Sequence, residues 1–247
     1  MTTNLVSPFE AAPTTALVTG ANKGIGQQVV RELADRGWTV WLGARDVAAG
    51  ERARSDIGTT RGPVRVVELD VTSDASVAAA VCTVSAAGGL DVLVNNAGIG
   101  GRWVTVEETT PADFLAVYGV NVLGPVRVTQ AFLPMLKSSA QPRIVMVSSG
   151  MGSLAVTTDP DRFESTLHSL VYPSSKTALN MITTMYAKAL TGIRVNAADP
   201  GYTATDLNGF RGMQTVQQGA ASVVALATAG PDGPTGGFFD AAGPVPW

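Results

Sequence analysis

Cysteine and histidine each occur once in the 247 residues, as Cys82 and His168. A single thiol allows no intrachain disulfide and no thiolate metal site, and a histidine triad or zinc centre would have to be built on His168 alone. His168 stands in a polar, irregular stretch, where a solvated surface side chain is expected. Basic charge is also scarce. The net charge is −3 and the pI about 5.2, and no cluster of lysine and arginine could track phosphates, which argues against a nucleic-acid partner. No apolar run reaches the length of a membrane span, and residues 1–13 lack the basic start and long apolar segment of a signal peptide. The expectation is a cytoplasmic chain without a membrane partner. Residues 1–13 would be a flexible extension and 14–247 a single domain, for which 45% hydrophobic residues supply a large core.

What is present is a regular alternation of patterns. Short runs, mostly apolar, at 16–19, 39–44, 64–69, 91–94, 143–150, 194–198 and 236–239 read as strands. Helical patterns occupy 27–36, 47–57, 73–87, 111–137, the stretch from Tyr172 onward, and 216–229. This order predicts an α/β fold: a single-domain, Rossmann-type, doubly wound parallel sheet of about seven strands, with helices on both faces and ligands at the carboxyl ends of the strands. Residues 150–169 are low in periodicity, 207–214 read as mobile because of Gly209 and Gly212, and the Gly/Pro-rich tail reads as a loop over one face.

The first strand ends in Thr19-Gly20-Ala21-Asn22-Lys23-Gly24-Ile25-Gly26. Glycines between a strand and a helix allow a tight turn and let helix N-terminal N–H groups approach a pyrophosphate, so this turn predicts a nucleotide site. At the end of the second strand, an acidic residue would read a free ribose 2′-OH and an arginine would suit a 2′-phosphate. Here Ala44 is followed by Arg45, and Lys23 adds a second cation, which favours NADP(H) over NAD(H). Asp46 suits a helix N-cap. Asp70, at the third strand end, can accept from an exocyclic amine such as that of adenine, cap the following helix, or both. Asn121 is polar within a mostly apolar helical stretch and must find a hydrogen bond, to local backbone or to water.

Tyr172 is the only one of the four tyrosines with a lysine four residues on, Lys176. Residues at i and i+4 share a helix face. A cation about 4 Å from a phenol, at an effective dielectric of about 20, contributes up to about 4 kcal/mol toward the ionised form, before desolvation reduces it. The pair therefore reads as a tyrosine tuned to exchange a proton near neutral pH. Ser148 and Ser149 fall at the carboxyl end of the 143–150 strand, and alternation lets only one of them point at a ligand.

Together, Thr19-Gly20-x-x-x-Gly24-Ile25-Gly26, Asp70, Asn95-Asn96-Ala97-Gly98, Asn121, Ser149, Tyr172-x-x-x-Lys176 and Pro200-Gly201 resemble the short-chain dehydrogenase/reductase family, over roughly residues 15–240. Asn22-Lys23, Ala44-Arg45-Asp46 and Gly236-Gly237-Phe238-Phe239 are similar to NADPH-dependent carbonyl reductases. The resemblance implies that Tyr172 is the acid or base, that Lys176 lowers its pKa and bonds the nicotinamide ribose, that Ser149 donates to the developing alkoxide, and that Asn121 holds a water leading to Lys176. It implies further cofactor contacts from Gly20, Asn22, Lys23, Gly24, Ile25, Gly26, Arg45, Asp70, Val71, Asn96, Ala97 and Gly98, with Pro200, Gly201, Thr203 and Thr205 at the carboxamide end. The interval from Ser149 to Tyr172 is longer than the family's usual spacing, as in monomeric carbonyl reductases. A monomer is accordingly favoured over a homo-oligomer, and the same segment could instead form a substrate wall.

The expected partner is a small-molecule carbonyl compound, apolar if Trp103, Met151, Leu154, Tyr202, Leu207 and Phe210 border the pocket. The expected activity is NADPH-dependent reduction of a ketone, aldehyde or quinone. The alternatives are an alcohol dehydrogenase working in the oxidative direction and a non-catalytic NADP(H)-binding redox sensor. A sensor has no need of Ser149, Tyr172 and Lys176 together.

Overall fold

The computed structural model describes residues 14–247, and the extension expected at 1–13 lies outside the described residues. Seven strands form one sheet: β1 (Thr15–Val18), β2 (Thr39–Ala44), β3 (Val64–Glu68), β4 (Val92–Asn95), β5 (Arg143–Val147), β6 (Arg194–Ala198) and β7 (Phe238–Phe239). All pairings are parallel, in the order β3-β2-β1-β4-β5-β6-β7. Every residue of β4 and β5 is buried, which is why these strands read as unbroken apolar runs rather than alternating ones. From β1, in mid-sheet, the chain runs outward through β2 and β3, then returns to β4 on the other side of β1. That reversal opens a crevice between the carboxyl ends of β1 and β4, the position where such sheets bind ligands.

Eight α-helices flank the sheet among the described residues: α1 (Gly24–Asp35), α2 (Val47–Ile57), α3 (Asp74–Ala86), α4 (Pro111–Tyr118), α5 (Gly124–Ser138), α6 (Leu154–Thr158), α7 (Val171–Ala189) and α8 (Val216–Ala227). Side-chain alternation along the strands splits the core in two. Val18, Val40 and Val94 pack with Val29, Leu33, Ile57 and Val224 from α1, α2 and α8. Leu17, Leu93 and Ile144 pack with Val77, Phe132, Leu136 and Leu179 from α3, α5 and α7. Asp46 caps α2, its Oδ1 accepting from the N–H groups of Ala48 and Ala49 at 2.9 and 3.2 Å.

Four elements depart from the sequence expectation. The helix expected over 111–137 is interrupted by a π turn at Gly119–Leu123, closed by the Gly124 N–H donating to Gly119 O. Pro125 explains the interruption: it has no N–H to give the Asn121 carbonyl, so the regular ladder fails there and one extra residue is accommodated. Helix α1 starts at Gly24 rather than at 27, so its first turn belongs to the Gly-rich loop. Residues 150–169 contain 3-10 turns at Gly150–Gly152 and Phe163–Thr166 flanking α6, too short to show periodicity. The last strand is confined to Phe238–Phe239, since Gly236 takes φ +76°.

The tail is tied down. Ser153 donates to Pro246 O at 2.7 Å, and the Trp247 ring stacks on Phe238 with centroids 5.4 Å apart. No helix among the described residues is long and apolar enough to cross a membrane, and no cluster of three or more His, Cys, Asp or Glu among them could hold a metal.

Phe132 is fully buried at the α5–sheet contact. Phe132→Ala is expected to cost about 3–5 kcal/mol of stability, read as a lower urea midpoint; a midpoint unchanged from wild type would show that this packing does not carry the fold.

Candidate functional site

The Gly-rich turn is braced from β4. Thr19 Oγ1 accepts from the N–H groups of Asn96 and Ala97, each at 3.0 Å, while Asn96 Nδ2 donates to Thr19 O at 2.8 Å and Gly20 O at 3.1 Å. Asn96 thus shapes the turn from behind. Gly20 has φ +60°, and a Cβ there would lie 2.8 Å from Ala97 Cα. At Gly26 it would lie 2.5 Å from Asn96 Nδ2 and 2.9 Å from Ala21 Cα. The N-cap of α1, Lys23, offers no side-chain acceptor to the first helical N–H groups. A helix N-terminus left uncapped behind such close-packed glycines fits a pyrophosphate, and so a dinucleotide.

Ala21 N–H donates to Gly43 O at 2.9 Å, fastening this turn to the end of β2, where Arg45 is exposed. Asp70 does not cap α3; Ser73 does. The Asp70 carboxylate instead accepts from Thr72 Oγ1 at 2.7 Å and Thr72 N at 2.9 Å, which hold its pKa below the usual range, helped by the field of Arg45. Val71 is buried, its carbonyl taken by Arg127 at 2.7 Å and its side chain facing Gly124. Lys23 lies 3.3 Å from Asp206, so the second expected cation is paired across to the 206 segment. Ile25 and Asn22 are half-buried on the turn.

The proton-handling residues gather at the ends of β5 and β6. Ser148 turns inward, with its hydroxyl 2.5 Å from Asn180 Oδ1, whereas half-buried Ser149, whose Oγ accepts from Met151 N at 3.2 Å, stands beside the Tyr172 phenol. This resolves the choice left by strand alternation: Ser148 is a core residue. Lys176 is 4% exposed and donates to Val147 O at 2.8 Å, with its ammonium 5.7 Å from the centre of the Tyr172 ring. Gly152 makes room for it, since a Cβ at 152 would lie 2.8 Å from Lys176 Cβ.

The π turn carries Asn121 into this group. Its Oδ1 accepts from Ile99 N at 2.9 Å, and its Nδ2 donates to Ile99 O at 3.0 Å and Ser175 Oγ at 3.1 Å. One lone pair on Oδ1 is left. A Cβ on Gly98 would stand 3.5 Å from that oxygen and 3.6 Å from Lys176 Nζ, so the glycine keeps the gap between them open.

The electrostatics overturn one expectation. Burial pushes the Tyr172 phenol up to about 12, partly offset by the neighbouring Ser149 hydroxyl and reinforced by Asp199. Lys176 does not bring it down. Burial pushes the ammonium itself down to about 8, with Asp199 opposing. The sequence argument placed a full charge about 4 Å from the hydroxyl, but here the ammonium addresses a backbone carbonyl and the ring, and desolvation of the phenolate wins.

The end of β6 leads into the last part of the site. Thr203 is buried and its polar groups are already engaged: the hydroxyl donates to Pro200 O at 3.1 Å, the N–H donates to Gly201 O at 2.9 Å, and the carbonyl accepts from Asn208 Nδ2 at 2.8 Å. Thr205 lies against Gly24, its Cγ2 3.4 Å from the position a Cβ would take, and Gly201, at φ +69°, packs on Gln214. Of the expected pocket border, Trp103 sits 6.4 Å from Tyr172 ring to ring, and both Trp103 Nε1 and Leu207 close on Gly100. Tyr202 pairs with Phe163 at 5.6 Å. Met151 is buried, while Leu154 and Phe210 are each 66% exposed. His168 is exposed, as expected. Sequence reasoning missed Thr19 as a brace, Asn180, Phe163, Glu164 and Asp199. The polar Asp199 directly after an apolar strand was the available signal.

Known proteins match this architecture. The family model described as short chain dehydrogenase matches residues 14–215. (−)-Isopiperitenone reductase from Mentha piperita is 34% identical, with 91% of this chain and 95% of the relative covered. NADPH-bound carbonyl reductase from chicken fatty liver superposes with a TM-score of 0.84 at 30% identity, covering 95% of this chain and 99% of that one. A 3-ketoacyl-(acyl-carrier-protein) reductase from Brucella melitensis, complexed with NADH, superposes with a TM-score of 0.78 at 28% identity, covering 92% and 96%.

Gly26→Ala is expected to weaken dinucleotide binding more than tenfold in a fluorescence titration while far-UV circular dichroism stays unchanged. Wild-type affinity in this variant would mean that the turn is not the pyrophosphate site.

Proposed function

The chain belongs to the short chain dehydrogenase family, and we propose that residues 14–247 form one NADP(H)-binding catalytic unit that reduces a small carbonyl compound to an alcohol. One observation carries the reading: Ser149, Tyr172 and the buried Lys176 gather at the strand ends beside a turn fitted to a dinucleotide. NADP(H), when bound, supplies the hydride. Tyr172 gives its proton to the carbonyl oxygen; with a pKa near 12 it is fully protonated at neutral pH and always ready as a donor. Ser149 donates a hydrogen bond to the oxygen as negative charge grows there. The Lys176 ammonium is the group from which the phenolate recovers its proton, and the gap at Gly98 between that ammonium and Asn121 Oδ1 suits a water that carries it.

The exposed Arg45 at the end of β2 supports NADP(H), because a guanidinium matches a 2′-phosphate. Lys23 joins it by exchanging Asp206 for that phosphate. Trp103 over Tyr172 and the Phe163–Tyr202 pair support a flat, apolar body on the substrate ketone, aldehyde or quinone. The reductase name of the peppermint relative supports the direction.

Tyr172→Phe is expected to lower kcat by more than a thousandfold with NADPH affinity nearly unchanged; retained turnover would sink its role as donor. Arg45→Ala should weaken NADPH about tenfold and NADH little, by parallel titration, and equal losses would move phosphate recognition elsewhere. Lys176 is an ammonium below about pH 8 and neutral above. The kcat of reduction should therefore fall as pH rises through about 8, and a profile flat across that range would remove Lys176 from the mechanism.

A further inference from the structure

Asp199 is the first residue after β6, one position beyond Ala198, which is in register with Val147. Val147 O is the acceptor for the Lys176 ammonium. Asp199 and Lys176 are 6% and 4% exposed, and among the described residues neither has an oppositely charged group within 4.0 Å. Two buried opposite charges thus stand at neighbouring strand ends without an ion pair.

The carboxylate is well anchored. Its Oδ1 accepts from Gly201 N at 2.9 Å, and its backbone carbonyl accepts from Ser222 Oγ at 2.9 Å. Its Oδ2 lies 2.9 Å from the position a Cβ on Gly150 would take, and Glu164 Oε1 lies 2.9 Å from the same point. Glycine at 150 lets both carboxylates close in. Glu164 comes from the segment between Ser149 and Tyr172 that lengthens this part of the chain, and Arg162 is 3.4 Å from it.

Resting on the reading of the site as a carbonyl reductase, we propose that Asp199 is a positioning residue: its carboxylate acts through Lys176 and Tyr172 to hold the couple in its proton-donating state, ammonium and phenol, across the neutral pH range. A nearby negative charge opposes loss of a proton from either group, so one carboxylate acts on both in the same direction. The groups facing it are Tyr172 and Lys176 from α7, Glu164 from the 3-10 turn with its partner Arg162, and Asp240 just after β7. Burial first, and then the repulsion of Glu164 and Asp240, push the Asp199 carboxyl above its ordinary value, while the Gly201 N–H opposes them.

The test does not depend on turnover. The chain has four lysines, Lys23, Lys137, Lys176 and Lys188, so the ε-carbon resonance of Lys176 in protein made with 13C-lysine is identified as the one lost in Lys176→Arg. In Asp199→Asn, the midpoint of this resonance is expected to fall by about one pH unit, a tenfold change in the dissociation constant, and the alkaline limb of the kcat profile to fall with it. Asp199→Ser, whose hydroxyl can still accept from Gly201 N, provides the same removal of charge if the asparagine variant does not fold. Glu164→Gln, at a partly exposed side chain, should leave the Lys176 midpoint within a few tenths of a unit. A Lys176 midpoint unchanged in folded Asp199→Asn or Asp199→Ser overturns the proposal. Failure of wild-type protein to consume NADPH with any carbonyl would overturn the reading of the reaction instead, and the Lys176 midpoint would still decide the electrostatics.

Discussion

The burial of one ammonium against one carbonyl, Lys176 Nζ on Val147 O at 2.8 Å, is the constraint on which the rest of the site depends. An ammonium has three donors and is costly to desolvate, by several kcal/mol when poorly satisfied. The surroundings show how that cost is limited. The strand end supplies a carbonyl, the Tyr172 ring faces the charge, and Asp199 lies near enough to favour it. Gly152 and Gly98 leave out the side chains that would otherwise press on α7 or fill the space before the ammonium. The net result is a lysine whose charge is lost near pH 8 rather than above 10, a base strength useful near neutral pH.

The segment after β6 is held by packing and not by its visible ion pair. Lys23 and Asp206 are 60% and 48% exposed, and pairs of that kind contribute little. The buried Thr203 is the real fastening: Asn208 Nδ2 donates to its carbonyl at 2.8 Å, and it bridges to Gln214. Lys23 is therefore free to change partner without releasing the segment.

Much of this arrangement is legible in the sequence where the signal is local. The strands are short apolar runs because they are buried on both faces, the Gly-rich turn announces close backbone approach, and Tyr172 and Lys176 share a face through their spacing. Where the determinant is distant, the sequence leaves alternatives open. Ser148 and Ser149 are equivalent until Asn180, thirty-two residues on, claims the first. Thr203 reads as a ligand contact until its hydroxyl is seen turned toward Pro200. Asp199 and Glu164 meet only because Gly150 has no side chain. The lowered phenol pKa failed for a different reason: spacing fixes a face but not where an ammonium points, and the phenol is cut off from water only once the fold is closed.

The π turn between α4 and α5 can be restated as a matter of phase. An α-helix advances about 100° per residue, so one additional residue rotates everything before it by that amount relative to everything after. Deleting a single residue from 119–123 would bring the two helices into one phase, with Pro125 still interrupting the ladder. Asp113 and Val117, now buried on α4, would swing about a quarter turn away from their contacts, or Asn121 would lose Ile99 and Ser175. The irregular turn is thus what allows one helix to serve the core at both ends and the site in its middle.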